Sequence, residues 1–218
     1  MKKHFLRIVF VVLSIFICIT LTVSANSSFA NYHPDNIAAK NFITNDTVNS
    51  YVNYVNVQSA YLATSNLGDI SATITFSESM SSNELETYVS SYNIQTVQLQ
   101  ARGYDENGDR ITFFSRTDAG IEKTYQILEE MARDGKIEFA GVIGMYVFID
   151  STCIEAIQKD EKTFLLDTSS NNYIVDENII SSVQTNEIIS TEQNKSHFVH
   201  SIAWDIESLG IVSYNVID

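Results

Sequence analysis

Proline occurs once, at Pro34, and glycine only eight times in 218 residues. So few chain breakers argue against a linker-rich or repeat architecture, and no internal repeat is present. Cysteine is nearly absent: Cys18 lies inside an N-terminal apolar run, which leaves Cys153 alone in the rest of the chain. A monomer without that run has no disulfide, so its stability must come from burial, for which the length is sufficient. Positive charge is scarce too, with 13 Lys and Arg against 27 Asp and Glu and a formal charge of −14. Such a balance repels phosphate backbones and anionic lipid surfaces, which argues against nucleic acid as a partner. Catalytic signatures are missing as well. No Gly-x-Ser-x-Gly, P-loop or dinucleotide glycine pattern occurs, and no cofactor is expected.

What is present begins at the N-terminus. Lys2, Lys3 and Arg7 precede an apolar run from Ile8 to Val23, and small residues follow. This order is that of a secretory signal peptide, and Ala25 and Ala30 both close small-x-small cleavage sites. The alternative is an uncleaved anchor, although the run is shorter than the ~20 residues a span needs. Removing residues 1–30 takes away Lys2, Lys3 and Arg7 and no acidic residue, which moves the charge from −14 to −17. The expected product is a secreted, acidic domain with no membrane contact after cleavage.

Residues 31–68 read as a polar segment and a helix, with Val48, Tyr51, Val52, Val55 and Leu62 on one face, although the β-branched content also permits a strand. Residues 69–167 carry the clearest periodicities. Ile70, Ala72, Ile74 and Phe76 alternate with Ser71, Thr73 and Thr75 as a one-sided strand. Ser81-Ser82-Asn83-Glu84 is a capping box before Leu85, Tyr88 and Val89. Val97, Leu99 and Ala101 alternate with Gln98, Gln100 and Arg102, Asn107-Gly108 marks a hairpin turn, and Ile111 and Phe113 continue beyond it. Ile121, Tyr125, Leu128 and Met131 form an amphipathic helix that Gly135 ends. Residues 141–149 read as a central strand, Thr152-Cys153-Ile154-Glu155 as the cap of a third helix, and Phe164-Leu165-Leu166 as the closing strand. The order β-α-β-β-α-β-α-β predicts an α+β, ferredoxin-like fold with an added strand, a mainly antiparallel sheet and helices on one face. Residues 168–218 should be a polar connection and a docked tail carrying Ile202, Trp204, Ile206, Leu209 and Ile211, with Gly210 ending a short helix.

Three clusters could carry chemistry. Asp105-Glu106-Asn107-Gly108-Asp109 has the spacing of a calcium loop, but Arg110 and Arg116 stand where that loop needs Gly and Glu, so an acidic turn is expected and no metal site. Cys153 at a helix start is the one thiol nucleophile, and a small hydrolase or thiol enzyme would need His197 or His200 beside it. His197 and His200 also share a helical spacing, but Phe198 stands where zinc enzymes carry Glu. The remaining candidate is the sheet face turned away from the helices, where alternation places Gln98, Gln100, Arg102, Phe114, Tyr146 and Phe148. Aromatics ringed by Gln and Arg suit a protein-contact surface, unless Trp204 and the tail cover it.

The strand GVIGMYVFID, the helix entered at STCIEAIQKDEKT and the closing FLLD, within residues 140–167, resemble the second half of subtilisin-type propeptides and their stand-alone inhibitor relatives. More broadly the chain resembles secreted proteins of Gram-positive bacteria. In the propeptide family the sheet packs against the protease and a following tail enters its active site. The resemblance therefore implies a non-enzymatic, protease-inhibitor-like binding or regulatory module that meets a separate extracellular or envelope protein through an open sheet face.

Overall fold

The computed structural model describes residues 44–171 and 198–216. The signal-peptide reading, His33, His197 and most of the polar connection lie outside these residues. Helix α1 (Asn45–Thr64) is entered at Thr44, whose hydroxyl caps the Thr47 N–H while Thr47 caps in return. Val48, Tyr51, Val55 and Leu62 are buried, so the helical alternative for this segment is the one realised. Then follow β1 (Asp69–Met80), α2 (Ser82–Ser91), β2 (Gln95–Tyr104), β3 (Arg110–Arg116), α3 (Ile121–Asp134), β4 (Glu138–Asp150), α4 (Ile154–Gln158), β5 (Thr163–Asp167) and, after the polar connection, α5 (Ala203–Ser208).

The five strands form one sheet in the order β3-β2-β4-β1-β5, and every neighbouring pair is antiparallel. β1-α2-β2 straddles β4, and β3-α3-β4 straddles β2. The two split units thus interleave as in a ferredoxin-like arrangement, here with β2 and β4 as the inner strands of the four. The addition is β5, which is reached through α4 and pairs on the far edge of β1. One sheet face carries Ile70, Ala72, Ile74, Phe76, Leu99, Ala101, Met145 and Val147, packed with Leu85, Tyr88, Leu128, Ile154 and Ile157 from the helices. α1 lies on β5 and α4, where the Tyr51 hydroxyl donates to Asp167 and Ser59 meets Thr168 at 2.7 Å. Burial pushes the Asp167 carboxyl up, while the bonds from Ser169 and Tyr51 oppose that push.

Several local expectations are corrected. The β2–β3 connection is a five-residue loop rather than a two-residue turn. Asp105 Oδ1 accepts from the N–H groups of Asn107 and Asp109 at 2.9 and 2.8 Å, and Gly108 supplies the positive φ. The inward face of α3 ends on Ala132, and Met131 is exposed. Gly135 is the C-cap of α3 as expected; the left-handed residue is the next one, Lys136, and Ile137 N–H closes the turn onto Ala132 O at 2.8 Å. Glu155 does not make a capping box. Instead Asp150 accepts from Thr152 N–H at 2.8 Å, and Cys153 has no side-chain cap bond.

The largest correction is a β-bulge in β4. Leu99 faces Met145, Gln100 faces Gly144, and Ala101 faces Val142, so Ile143 has no counterpart on β2. One extra residue breaks strict alternation locally. Strict alternation predicts Ile143 on the helix side with Met145 and Val147; instead Val142 joins those two in the helix-side core and Ile143 packs with Ala203 and Tyr214 on the other face. Gly144 is required there, because a Cβ would sit 2.8 Å from Ile74 O.

The capping box at α2 is formed as expected and sets an acid limb. Glu84 accepts from Lys162 Nζ at 2.7 Å and from Ser81 N–H at 3.0 Å, which holds its carboxyl at about 2 instead of 4.5. A carboxyl depressed by folding contributes stability above its unfolded value and loses it as pH falls through the folded one. The contribution is present above pH 4.5 and disappears towards pH 2. Glu84→Gln keeps the box geometry, so its melting temperature should fall less than the wild type's between those limits. Parallel curves would dissociate this carboxylate from the acid limb.

Candidate contact surface

The face turned away from the helices is not open. Residues 198–216, the strap below, lie across it. Thr73 donates to Val199 O at 2.6 Å, and Thr75 meets Ser201 hydroxyl to hydroxyl at 2.9 Å. Phe198 packs on Tyr146 and Phe148 with ring centroids 5.4 and 5.6 Å apart. Tyr214 closes the far end by donating to Phe76 O at 2.9 Å. The sheet's Ser, Thr, Gln and Arg row suits this cover, since buried polar groups need hydrogen-bond partners.

The strap is latched by a buried ion pair. The Arg102 side chain is fully buried, and its Nη2 lies 2.6 Å from Glu207 Oε2. Arg110 Nη1 lies 3.5 Å from the same oxygen, and the Tyr104 hydroxyl lies 2.8 Å from Oε1. Trp204 stacks over both guanidinium groups, 4.2 Å from Arg110 and 5.0 Å from Arg102. Burial pulls Arg102 below its ordinary value while Glu207 opposes that pull. Burial, then the bond to Glu207, pushes Tyr104 up to about 12.

The six residues expected on an open face therefore separate. Arg102, Gln100 and Tyr146 are buried under the strap, and Gln98 and Phe148 are half-buried. Phe114 alone is exposed, at 44%. The physical reason is topological: periodicity assigns a side chain to a face but says nothing of which distant segment returns to cover it. What remains accessible is the β3 margin of this face. A shallow groove of about 530 Å³ runs between Gln98, Arg116, Tyr146, Phe148 and Phe198. Trp204, expected to be a covering group, is itself 46% exposed. That was recoverable from spacing: Ile202 and Ile206 are four apart and both buried, which turns Trp204, two residues from each, outward. Among the described residues no strand pairs with the outer edge of β3.

The thiol alternative does not assemble with His200. Cys153 packs against the helix-side core, whereas His200 sits on the strap across the sheet and is exposed. Cys153 itself is half-buried. Among the described residues no group of three or more His, Cys, Asp or Glu could hold a metal ion, and Asp105 is spent on its own loop. No helix there is long and apolar enough to cross a membrane.

The fold and this surface define a class: an α+β sheet domain with helices on one face and a latched C-terminal strap on the other. Comparison with protein-family models, curated proteins and solved structures finds no match for the chain.

Proposed function

We propose that the chain is an exported, non-catalytic binding or regulatory module that meets another extracellular or envelope protein along the β3 margin of its strapped face. The observation that carries this reading is the exposure of Trp204 and Phe114, at 46% and 44%, on one face beside β3, whose outer edge no strand among the described residues pairs. Trp and Arg are the residue types that dominate contact energetics, and Arg110 and Arg116 border the same strand. An unpaired edge also offers backbone groups to a partner. Export rests on the order of basic, apolar and small residues within 1–30. A protease is a fitting target through the resemblance of residues 140–167 to propeptides. The strap occupies the sheet face those propeptides use, so such a target would have to be met at the margin.

The test uses a photoreactive residue at position 114 to identify the partner by cross-linking, followed by affinity measurement on the isolated pair. Phe114→Ala and Trp204→Ala should each weaken binding by about 1 kcal/mol or more, roughly fivefold in Kd. Phe114→Ala should not much affect folding, because its side chain is about half in solvent, whereas Trp204→Ala also removes the stack on Arg102 and Arg110 and its effect is read against that of Phe114→Ala. Unchanged affinity in both variants would remove the surface from the contact.

A further inference from the structure

The Asn107-Gly108 pair in the β2–β3 loop is chemically unlike any other in the chain, since no other asparagine is followed by glycine. An asparagine side-chain carbonyl carbon lies within reach of the next residue's backbone nitrogen, and their union closes a five-membered imide. A side chain on that next residue obstructs the approach, and only glycine has none. Here the approach is open: Gly108 takes φ +81°, and no atom lies within 4 Å of where a Cβ would stand. Asn107 is exposed, and its side-chain amide donates to Asp105 Oδ2 at a long 3.4 Å.

Other described asparagines are placed differently. Asn49, Asn53 and Asn56 lie inside α1 and Asn83 inside α2, where the helix fixes the backbone. Asn171 is buried, with its amide donating to Ser71 O and Thr168 O. Asn66, Asn93 and Asn215 precede Leu67, Ile94 and Val216. Two features oppose reaction at Asn107. Gly108 N–H donates to Asp105 O at 2.9 Å, so the turn must open before that nitrogen can attack. The carboxylates of Asp105, Glu106 and Asp109 disfavour loss of its proton. Neither prevents it. The hydrogen bonds of the loop run between its own residues, and Glu106 to Asp109 are exposed, so opening leaves the core intact and costs little. Exposed carboxylates are also screened by water and salt.

We propose that Asn107 modifies itself in the folded protein and that the product loosens Arg110 from the strap. The Gly108 nitrogen, after losing its proton to solvent base, bonds to the Asn107 side-chain carbonyl carbon. The bond from that carbon to the amide nitrogen breaks, and the nitrogen takes a proton from water and leaves as ammonia. Water then opens the imide at either carbonyl, giving aspartate or isoaspartate, with no oxidation or reduction. Isoaspartate carries one extra methylene in the main chain. The bonds centred on Asp105 Oδ1, to Asn107 N–H at 2.9 Å and Asp109 N–H at 2.8 Å, are spaced for an ordinary backbone. A longer one displaces the start of β3, and with it Arg110, which donates to Ser208 Oγ at 2.8 Å and stacks 4.2 Å from the Trp204 ring. The inference stands whatever the β3 margin binds.

The test incubates the full chain in mildly alkaline buffer and maps its peptides by mass. Residue 107 should gain the mass of an amide-to-acid exchange, chiefly as isoaspartate. The rate should be first-order, independent of protein concentration, and should rise in proportion to hydroxide. Asn107→Gln, which would need a six-membered ring, should stay unmodified at that position. A synthetic peptide of residues 102–112 supplies the rate without the fold. Reaction in the peptide and none in the folded chain over the same period would overturn the proposal, because the turn then protects its own asparagine. Absence of reaction in both would overturn it too. The isoaspartyl form, isolated by chromatography, should show shifted Trp204 fluorescence, whereas Asn107→Asp, which adds the charge on an ordinary backbone, should match the unmodified chain. Equal spectra for all three, or an equal shift in Asn107→Asp, would overturn the effect of the longer backbone on Arg110.

Discussion

Met145→Asp is expected to abolish the cooperative urea transition seen by far-ultraviolet circular dichroism, whereas Ile143→Asp, two residues away, is expected to preserve it. Met145 is 1% exposed on an inner strand, paired to Ile74 on one side and Leu99 on the other. A carboxylate there would lie in the helix-side core with no partner. Desolvating an unpaired charge costs many kcal/mol, or the group protonates at a smaller but still large cost. Against a total stability of about 5–15 kcal/mol for an ordinary domain, either outcome removes the folded state. Ile143 is equally buried but belongs to the strap cluster with Ala203 and Tyr214. Its charge should undock the strap and then reach water, leaving sheet and helices folded. Equal collapse of both variants would contradict the bulge at Ile143 and return strict alternation to β4.

Glu207→Ala should release the strap while leaving the core in place. The substitution strands Arg102, whose side chain has no exposure, without its 2.6 Å counter-ion. Removing one partner of a buried ion pair costs about 3–5 kcal/mol. Here the strap can move away and let the guanidinium regain water, so the loss should appear as undocking. Trp204 is the only tryptophan in the chain and sits on this latch, which makes its fluorescence a reporter of the strap alone. In Glu207→Ala the fluorescence transition in urea should move well below the circular-dichroism transition, and the latter should stay near the wild-type midpoint. Replacing Arg102 and Glu207 together by leucines should restore much of the docking, because no charge is then left unpaired. If fluorescence and circular dichroism shift together, strap and core form one cooperative unit.

The contrast between these variants marks how far sequence reasoning reaches. Elements whose side chains repeat with one period were legible. The strand Ile70–Phe76, the Ser81–Glu84 box, the Leu99–Ala101 alternation and the helix through Tyr125 and Leu128 all form where the pattern places them. They are dictated by neighbours two to four residues apart, which local chemistry decides. The α+β class and the antiparallel sheet with its helices on one face follow from the order of those elements. The scarcity of basic residues, and the single cysteine outside the N-terminal run, were likewise properties of the sequence by itself.

Only the tertiary structure decided the rest. The bulge at Ile143 depends on the register between β2 and β4, and no periodicity within β4 announces which residue is skipped. The cover over Gln100, Arg102 and Tyr146 comes from residues about fifty to a hundred positions away, on a strap whose landing place is chosen by the meeting of Glu207 with Arg102 and Phe198 with Tyr146. Alternation placed all six candidate residues on one face and could go no further, because burial of a face is a property of what returns to it. Phe114 stayed accessible and Trp204 became so because the strap crosses the sheet with Ile202 and Ile206 turned down, and that choice rests on packing between segments far apart in the chain.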